Sequence, residues 1–131
     1  MQKPAAVVGL LRREDRFLVI RRSPHVIGPG YWTPPSGRVE PGESEEDALR
    51  REMREELGVD VGPVEKVWEC DTDDGAFRLH WWAARIVSGE LRPEPSEVAE
   101  AGWVTPAEFL ELEPTFAGDR DFVERVLPTL G

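Results

Sequence analysis

The chain has 131 residues, 40% of them hydrophobic and 32% charged, with a formal net charge of -10. One globular domain over residues 1–131 is the expectation, because this length buries a core without staples and the composition is not that of a disordered chain. The acidic balance speaks against a phosphate-backbone binder, which shows a basic face, so no nucleic-acid partner is expected and an anionic ligand would need a cation between itself and the protein.

Cys70 is the only cysteine, which excludes an intrachain disulfide and suits a reducing, cytoplasmic compartment. No apolar run approaches the length of about 18 residues that a membrane helix needs, so no membrane partner is expected. AAVVGLL, residues 5–11, is followed at once by charged RRED and lacks the flanks of a signal peptide.

In chain order, AAVVGLL (5–11) and FLVIR (17–21) flank the polar RREDR and predict a β-hairpin. SPHVIGPGYWTPPSG (23–37) is rich in Pro and Gly and reads as a loop carrying Tyr31 and Trp32. A helix begins after Ser44, a good N-cap followed by acid in the first turn. Leu49, Met53 and Leu57 form its apolar stripe at i, i+4, i+8, and Gly58 stops it. VEKVWECDT (64–72) and AFRLHWWAARIV (76–87) flank a DDG turn and predict a longer hairpin. In it, Trp81 and Trp82 face opposite sides, and His80 reads as structural or surface. AGWV (101–104) is a short strand. TPAE (105–108) opens a second helix with a capping box and Pro at its first position. A third helix spans residues 119–127, with Phe122 and Val126 on one face and Pro128 after it. Strands surrounding one helix, with helices closing the chain, give an α+β class with a mixed sheet.

The central helix carries Glu52, Glu55 and Glu56 on one side, where Ala48 leaves space. Arg50, Arg51 and Arg54 make a basic flank. Like charges three or four apart on a helix repel by about 0.2–0.5 kcal/mol per pair. A solvated face with Arg–Glu pairs is the ordinary reading. Clustered carboxylates on a rigid face are also what a hard divalent cation such as Mg²⁺ needs, since it takes oxygen ligands and bridges to substrate phosphates.

The context decides between them. GRVEPGESEEDALRREMREELGV, residues 37–59, resembles the Nudix box at every restricted position: Gly37, Glu43, Arg51, Glu52, the aliphatic-type Met53, Glu55, Glu56, Gly58 and Val59. WTPPSG before it is similar to the approach segment of many such boxes. The resemblance implies a Nudix-type αβα sandwich with a catalytic loop–helix–loop, and hydrolysis of a nucleoside diphosphate linked to some group X. It implies that Glu55 and Glu56 bind Mg²⁺ or Mn²⁺, that Glu52 binds metal or takes a proton from water, and that Arg51 orients the acids. Gly37 and Gly58 are expected as turn and cap glycines. The backbone carbonyl of Ser36 is expected at the metal; the family usually has glycine there, so strain at Ser36 is a further expectation.

Outside the box, the resemblance points to Arg22 as a phosphate contact of the MutT type and to Tyr31 and Trp32 as pocket residues, with core packing the rival for Trp32. It calls for a further glutamate before a tryptophan strand. Glu97 and Glu100 precede Trp103, and Glu97 is favoured by its offset. The leading reading is a nucleoside triphosphate pyrophosphohydrolase. Hydrolysis of a sugar nucleotide, ADP-ribose or a dinucleoside polyphosphate is the alternative, and removal of an RNA cap or a non-catalytic nucleotide-binding module is further off. A small-molecule nucleotide substrate and a monomer or homodimer are expected.

Overall fold

A computed structural model describes residues 3–131. Strands β1 (Ala5–Arg13) and β2 (Arg16–Arg22) form the predicted hairpin. Its turn is only Glu14 and Asp15, and Glu14 takes a positive φ of 58°. β1 is buried from Ala6 to Leu11. Such an unbroken apolar run marks a strand covered on both faces, and β1 is the central strand. It pairs in parallel with β6 (Arg78–Ser88), which pairs antiparallel with β5 (Asp60–Asp71). β2 pairs antiparallel with β7 (Val98–Val104). The mixed sheet of the expected α+β class results.

Successive β1 side chains serve two cores. Val7 and Leu11 pack with Leu49, Met53 and Leu57 of α1 (Glu45–Leu57), all fully buried. Each such side chain contributes about 1.5–3 kcal/mol. Val8 and Leu10 pack on the other face with Trp81, Phe109 of α2 (Pro106–Glu111) and Phe122. Helices thus cover both faces, as an αβα sandwich requires. Trp81 and Trp82 divide between the faces as alternation demands: Trp81 stacks on Phe122 at 4.0 Å, while Trp82 donates its indole N–H to Glu45 at 2.9 Å.

The helix ends follow the expected caps. Ser44 accepts from the Asp47 N–H, Thr105 and Glu108 complete the capping box, and Gly58 adopts φ 71°. The C-terminal segment differs from expectation. α3 (Ala117–Asp121) starts two residues early because the Asp73 carboxylate accepts from the N–H groups of Ala117 and Gly118 at 2.8 and 3.0 Å. It widens into a π turn over Phe122–Val126, and Pro128 lies inside a closing 3₁₀ turn, Leu127–Thr129.

Two strands lie within the expected loop. β3 (Trp32–Thr33) pairs with β2, and β4 (Ser36–Arg38) pairs with β1. β1 meets β2 only at Arg12 and Arg13 and meets β4 at Ala6 to Val8. The two strands therefore diverge, and the opening between them is where the site is built. No helix among the described residues is long and apolar enough to cross a membrane.

Candidate active site

Glu52 and Glu56 are one helical turn apart, so both project from the same side of α1. Ala48, buried below them, leaves that side close to the sheet. β4 runs past it, and the Glu52 carboxyl occupies the space a Cβ on Gly37 would fill. Gly37 was expected as a turn glycine. It lies within β4 instead, outside the left-handed region, and its missing side chain admits Glu52. Ser36, beside it, has no positive φ, so the expected strain is absent.

Arg51, a member of the basic flank by helical angle, takes the place among the acids that the box resemblance implies. It folds among the acids, while Arg50 pairs with Asp47 and Arg54 with Asp60. Its Nε and Nη2 donate to the two oxygens of Glu43 at 2.8 and 2.9 Å. Nη1 donates to Glu52 at 2.9 Å and Glu55 at 3.2 Å, and Nη2 also reaches the Arg38 carbonyl at 2.8 Å. This fork is bidentate and charge-assisted, a geometry lysine cannot copy. The Arg51 hydrogen bonds, with the Glu40 N–H, hold Glu43 at a pKa of about 2, and Arg51 itself is raised by its Glu43 bond.

A second loop completes the cluster. Residues 89–97 cross the C-terminal end of α1, where the N–H groups of Arg92 and Glu94 donate to the carbonyls of Leu57 and Glu56 at 2.6 and 2.8 Å. These carbonyls have no partner within the helix, so the loop caps them. Its far end is tied to Ser23, whose Oγ donates to the Ser96 carbonyl at 2.7 Å and whose N–H donates to the Glu97 backbone carbonyl at 3.0 Å. This brings the Glu97 carboxyl against Glu56. Glu100 goes elsewhere: it sits in β7 opposite Arg21 and pairs with it at 3.1 Å in the open.

Glu56 is only 6% exposed, and its Oε2 is buried with no hydrogen-bond partner among the described residues. Burial first, then the charges of Glu52 and Glu97, push its pKa up to about 9, against a smaller opposing effect of Arg22. Burial likewise raises Glu52, with Arg51 opposing. A buried carboxylate oxygen without a partner is costly, and hard oxygen donors from Glu52, Glu56 and Glu97 are the set a hard divalent cation takes. Glu52 and Glu55 are turned toward Arg51, and among the described residues no three acid, His or Cys side chains already enclose a metal position. The donor chemistry fits a divalent ion whose shell is filled out by water and substrate oxygens.

The opposite wall carries Arg22, at the end of β2. Its Nε donates to the Ile27 carbonyl at 2.6 Å, and no carboxylate among the described residues lies within salt-bridge distance of it. Tyr31 stacks on Phe116 with centroids 4.4 Å apart and planes at 21°. Trp32 packs partly against the second core, so its ring follows the core reading. Phe116 had no place in the sequence reading. Nor did Asp119 as a buried acid: its side chain accepts from Thr33 Oγ1 at 2.6 Å, and burial raises its pKa to about 7. The signal for Asp119 was present, since with Phe122, Val123 and Val126 it makes an i, i+3, i+4, i+7 stripe.

Comparison with known proteins agrees with this architecture. The family model of the NUDIX domain matches residues 1–126. The chain is 33% identical over 129 residues to the NAD-capped RNA hydrolase NudC of Deinococcus radiodurans, covering 97% of this chain and 46% of that protein. It is 37% identical over 103 residues to the human NAD-capped RNA hydrolase NUDT12, covering 79% of this chain and 20% of that one. The chain thus spans less than half the length of these curated relatives. The crystal structure of a MutT NUDIX hydrolase from Burkholderia pseudomallei superposes with a TM-score of 0.83 at 27% identity, covering 96% of this chain and 99% of that one. The names of the two curated relatives stand against the expectation that nucleic acid is no partner of such a domain. The match over residues 1–126, the box and the sandwich agree: the chain belongs to the Nudix domain family.

Proposed function

We propose that the chain hydrolyses a diphosphate bond in a nucleotide-linked substrate with the help of Mg²⁺, Mn²⁺ serving in its place. The observation that carries this reading is the buried, unpartnered oxygen of Glu56 beside Glu52 and Glu97. Glu56, Glu97, Glu55, Glu52 and the Ser36 carbonyl would hold the ion, which supplies charge neutralisation and a more acidic water. Glu52 takes the proton of the attacking water. Burial makes it a stronger base than an exposed glutamate, and Arg51 keeps its carboxyl aimed. Arg22 binds phosphate through its terminal nitrogens, and the Tyr31–Phe116 stack offers a flat apolar surface to a base.

A nucleoside triphosphate is the first reading for the substrate, because one aromatic platform serves one nucleoside and because the likeness to a MutT structure spans nearly all of both chains. A dinucleotide diphosphate of the NAD type is the second. Phe77, with the Arg38 guanidinium 4.7 Å over its ring, offers another flat surface next to the box, and the curated relatives are NAD-capped RNA hydrolases. Product analysis separates the two. A nucleoside monophosphate and pyrophosphate from dGTP support the first. Two mononucleotides from NAD⁺ support the second, and an added NAD-capped RNA tests whether a polynucleotide is accepted. Cleavage of none of a panel that includes sugar nucleotides, ADP-ribose and dinucleoside polyphosphates contradicts the enzymatic reading.

A further inference from the structure

The loop between β2 and β3 is built around one side chain. The Arg22 N–H donates to the Tyr31 carbonyl at 2.8 Å, and the Arg22 carbonyl accepts from Gly30 at 2.9 Å. The Tyr31 N–H closes back on the Gly28 carbonyl at 3.2 Å. Inside this ring of backbone bonds the Ile27 carbonyl turns inward and accepts from Arg22 Nε. That engages the one guanidinium nitrogen nearest the stem and, among the described residues, leaves the terminal pair for another ligand.

Gly28 makes the turn that aims this carbonyl. Its φ is +74°, a region L side chains rarely adopt. Space is tight there as well: a Cβ would stand 3.2 Å from Phe116 Cζ and 3.4 Å from Arg22 Nε, so both side chains would have to give by a few tenths of an ångström. Gly30 has a similar φ of +79° but, among the described residues, nothing within 4 Å of such a Cβ. The two glycines therefore share a backbone requirement and differ in contact with Arg22. Phe116 in turn is fixed by its stack on Tyr31, the last residue of the loop.

We infer that Gly28 is a positioning residue: with the Ile27 carbonyl and Phe116 it holds the Arg22 guanidinium at the angle in which its terminal nitrogens meet a substrate phosphate. The inference rests on the reading of Arg22 as a phosphate contact. It adds that the β2–β3 loop sets the phosphate site through its backbone rather than by lining the pocket with side chains.

The test is calorimetric binding of magnesium pyrophosphate, with melting temperature measured alongside. Gly28→Ala is expected to weaken binding about tenfold, whereas Gly30→Ala, which carries the same backbone strain, changes it less than about twofold. Gly28→Ala adds the contacts with Phe116 and Arg22 to the shared backbone strain and should lower the melting temperature at least as far as Gly30→Ala, so binding is compared at a temperature where both are folded. In an Arg22→Ala background, Gly28→Ala should cost nothing further, because residues acting through one group are not additive. Arg22→Lys keeps the charge and loses the Nε anchor; it is expected to bind as poorly as Arg22→Ala, and it carries the test if Gly28→Ala does not fold. Additive losses from Gly28→Ala and Arg22→Ala, equal losses in the two glycine variants, or wild-type binding by Arg22→Lys would overturn the inference alone. Wild-type binding by Arg22→Ala would overturn the phosphate reading of Arg22 and the inference with it.

Discussion

The Glu52 carboxyl lies where a Cβ on residue 37 would stand. Strand β4 and helix α1 approach so closely that only a residue without a side chain admits the glutamate. Gly37→Ala should therefore displace a flexible side-chain end and not the backbone. Stability is expected to change by no more than about 1 kcal/mol, while kcat falls about 10²-fold, the cost of moving a catalytic group by about 1 Å. Equal loss of activity and melting temperature would show that the glycine serves folding instead.

Arg51 holds Glu43, Glu52 and Glu55 from one guanidinium. Arg51→Lys retains the charge but cannot span three carboxylates. It is expected to lower metal affinity or kcat about 10–100-fold, as loss of an outer-shell partner does. In Arg51→Ala the Glu43 carboxyl should titrate well above about 2, toward the ordinary carboxylate range, with the Glu40 N–H alone still lowering it. Carboxyl carbon shifts followed by NMR through acid pH would record this, and an unmoved Glu43 titration would remove Arg51 as its cause.

Glu56 carries the opposite perturbation. Its pKa is raised to about 9 from an ordinary 4.5, so the folded chain holds a proton that the unfolded chain has released. The stability this proton brings is fully present below about 4.5 and is lost as pH rises toward about 9. Urea midpoints in the presence of a chelator should fall across that window. Glu56→Gln, which cannot ionise, should flatten the fall and exceed the wild type in stability at the alkaline end. Parallel curves for the two proteins would contradict the raised titration of the buried Glu56 carboxyl.

Glu97 and Glu100 are three residues apart and face different surroundings. Glu97→Gln is expected to lower kcat and to raise the Mg²⁺ concentration for half-activity, since its carboxyl lies against Glu56. Glu100→Gln breaks an exposed pair with Arg21, worth about 0–1 kcal/mol, and should leave the metal titration unchanged. The reverse ranking would move the role to Glu100.

Much of this arrangement was legible in the residues, and what was not has definite causes. The bounds of α1 follow from Ser44 and Gly58, and its buried stripe follows from the spacing of Leu49, Met53 and Leu57. The burial of Glu56 does not follow from spacing, because it depends on the loop that caps the end of α1 and carries Glu97. β3 and β4 have two and three residues, too few for any alternation to appear. β5 starts at Asp60 although it contains Gly62 and Pro63. It is the last strand in the sheet order, and an edge strand tolerates proline. By helical angle Arg51 belongs to a basic flank with Glu55 in reach, and the box resemblance sets it to orient the acids; the fork reaching back to Glu43, eight residues earlier, does not follow from helical angle. Asp119 lies hidden in an apolar stripe whose acid looks like a first-turn charge.

The acids gathered on α1 are proposed to work through a divalent cation on a nucleotide diphosphate. Turnover of the best substrate from the panel, measured against Mg²⁺ concentration for wild type and Glu56→Gln, tests this most directly. No turnover in chelator is expected, with restoration by Mg²⁺ and a kcat about 10³-fold or more lower in Glu56→Gln at saturating metal, the fold staying intact. Turnover without a divalent ion, or near-wild-type turnover by Glu56→Gln, would contradict the proposal.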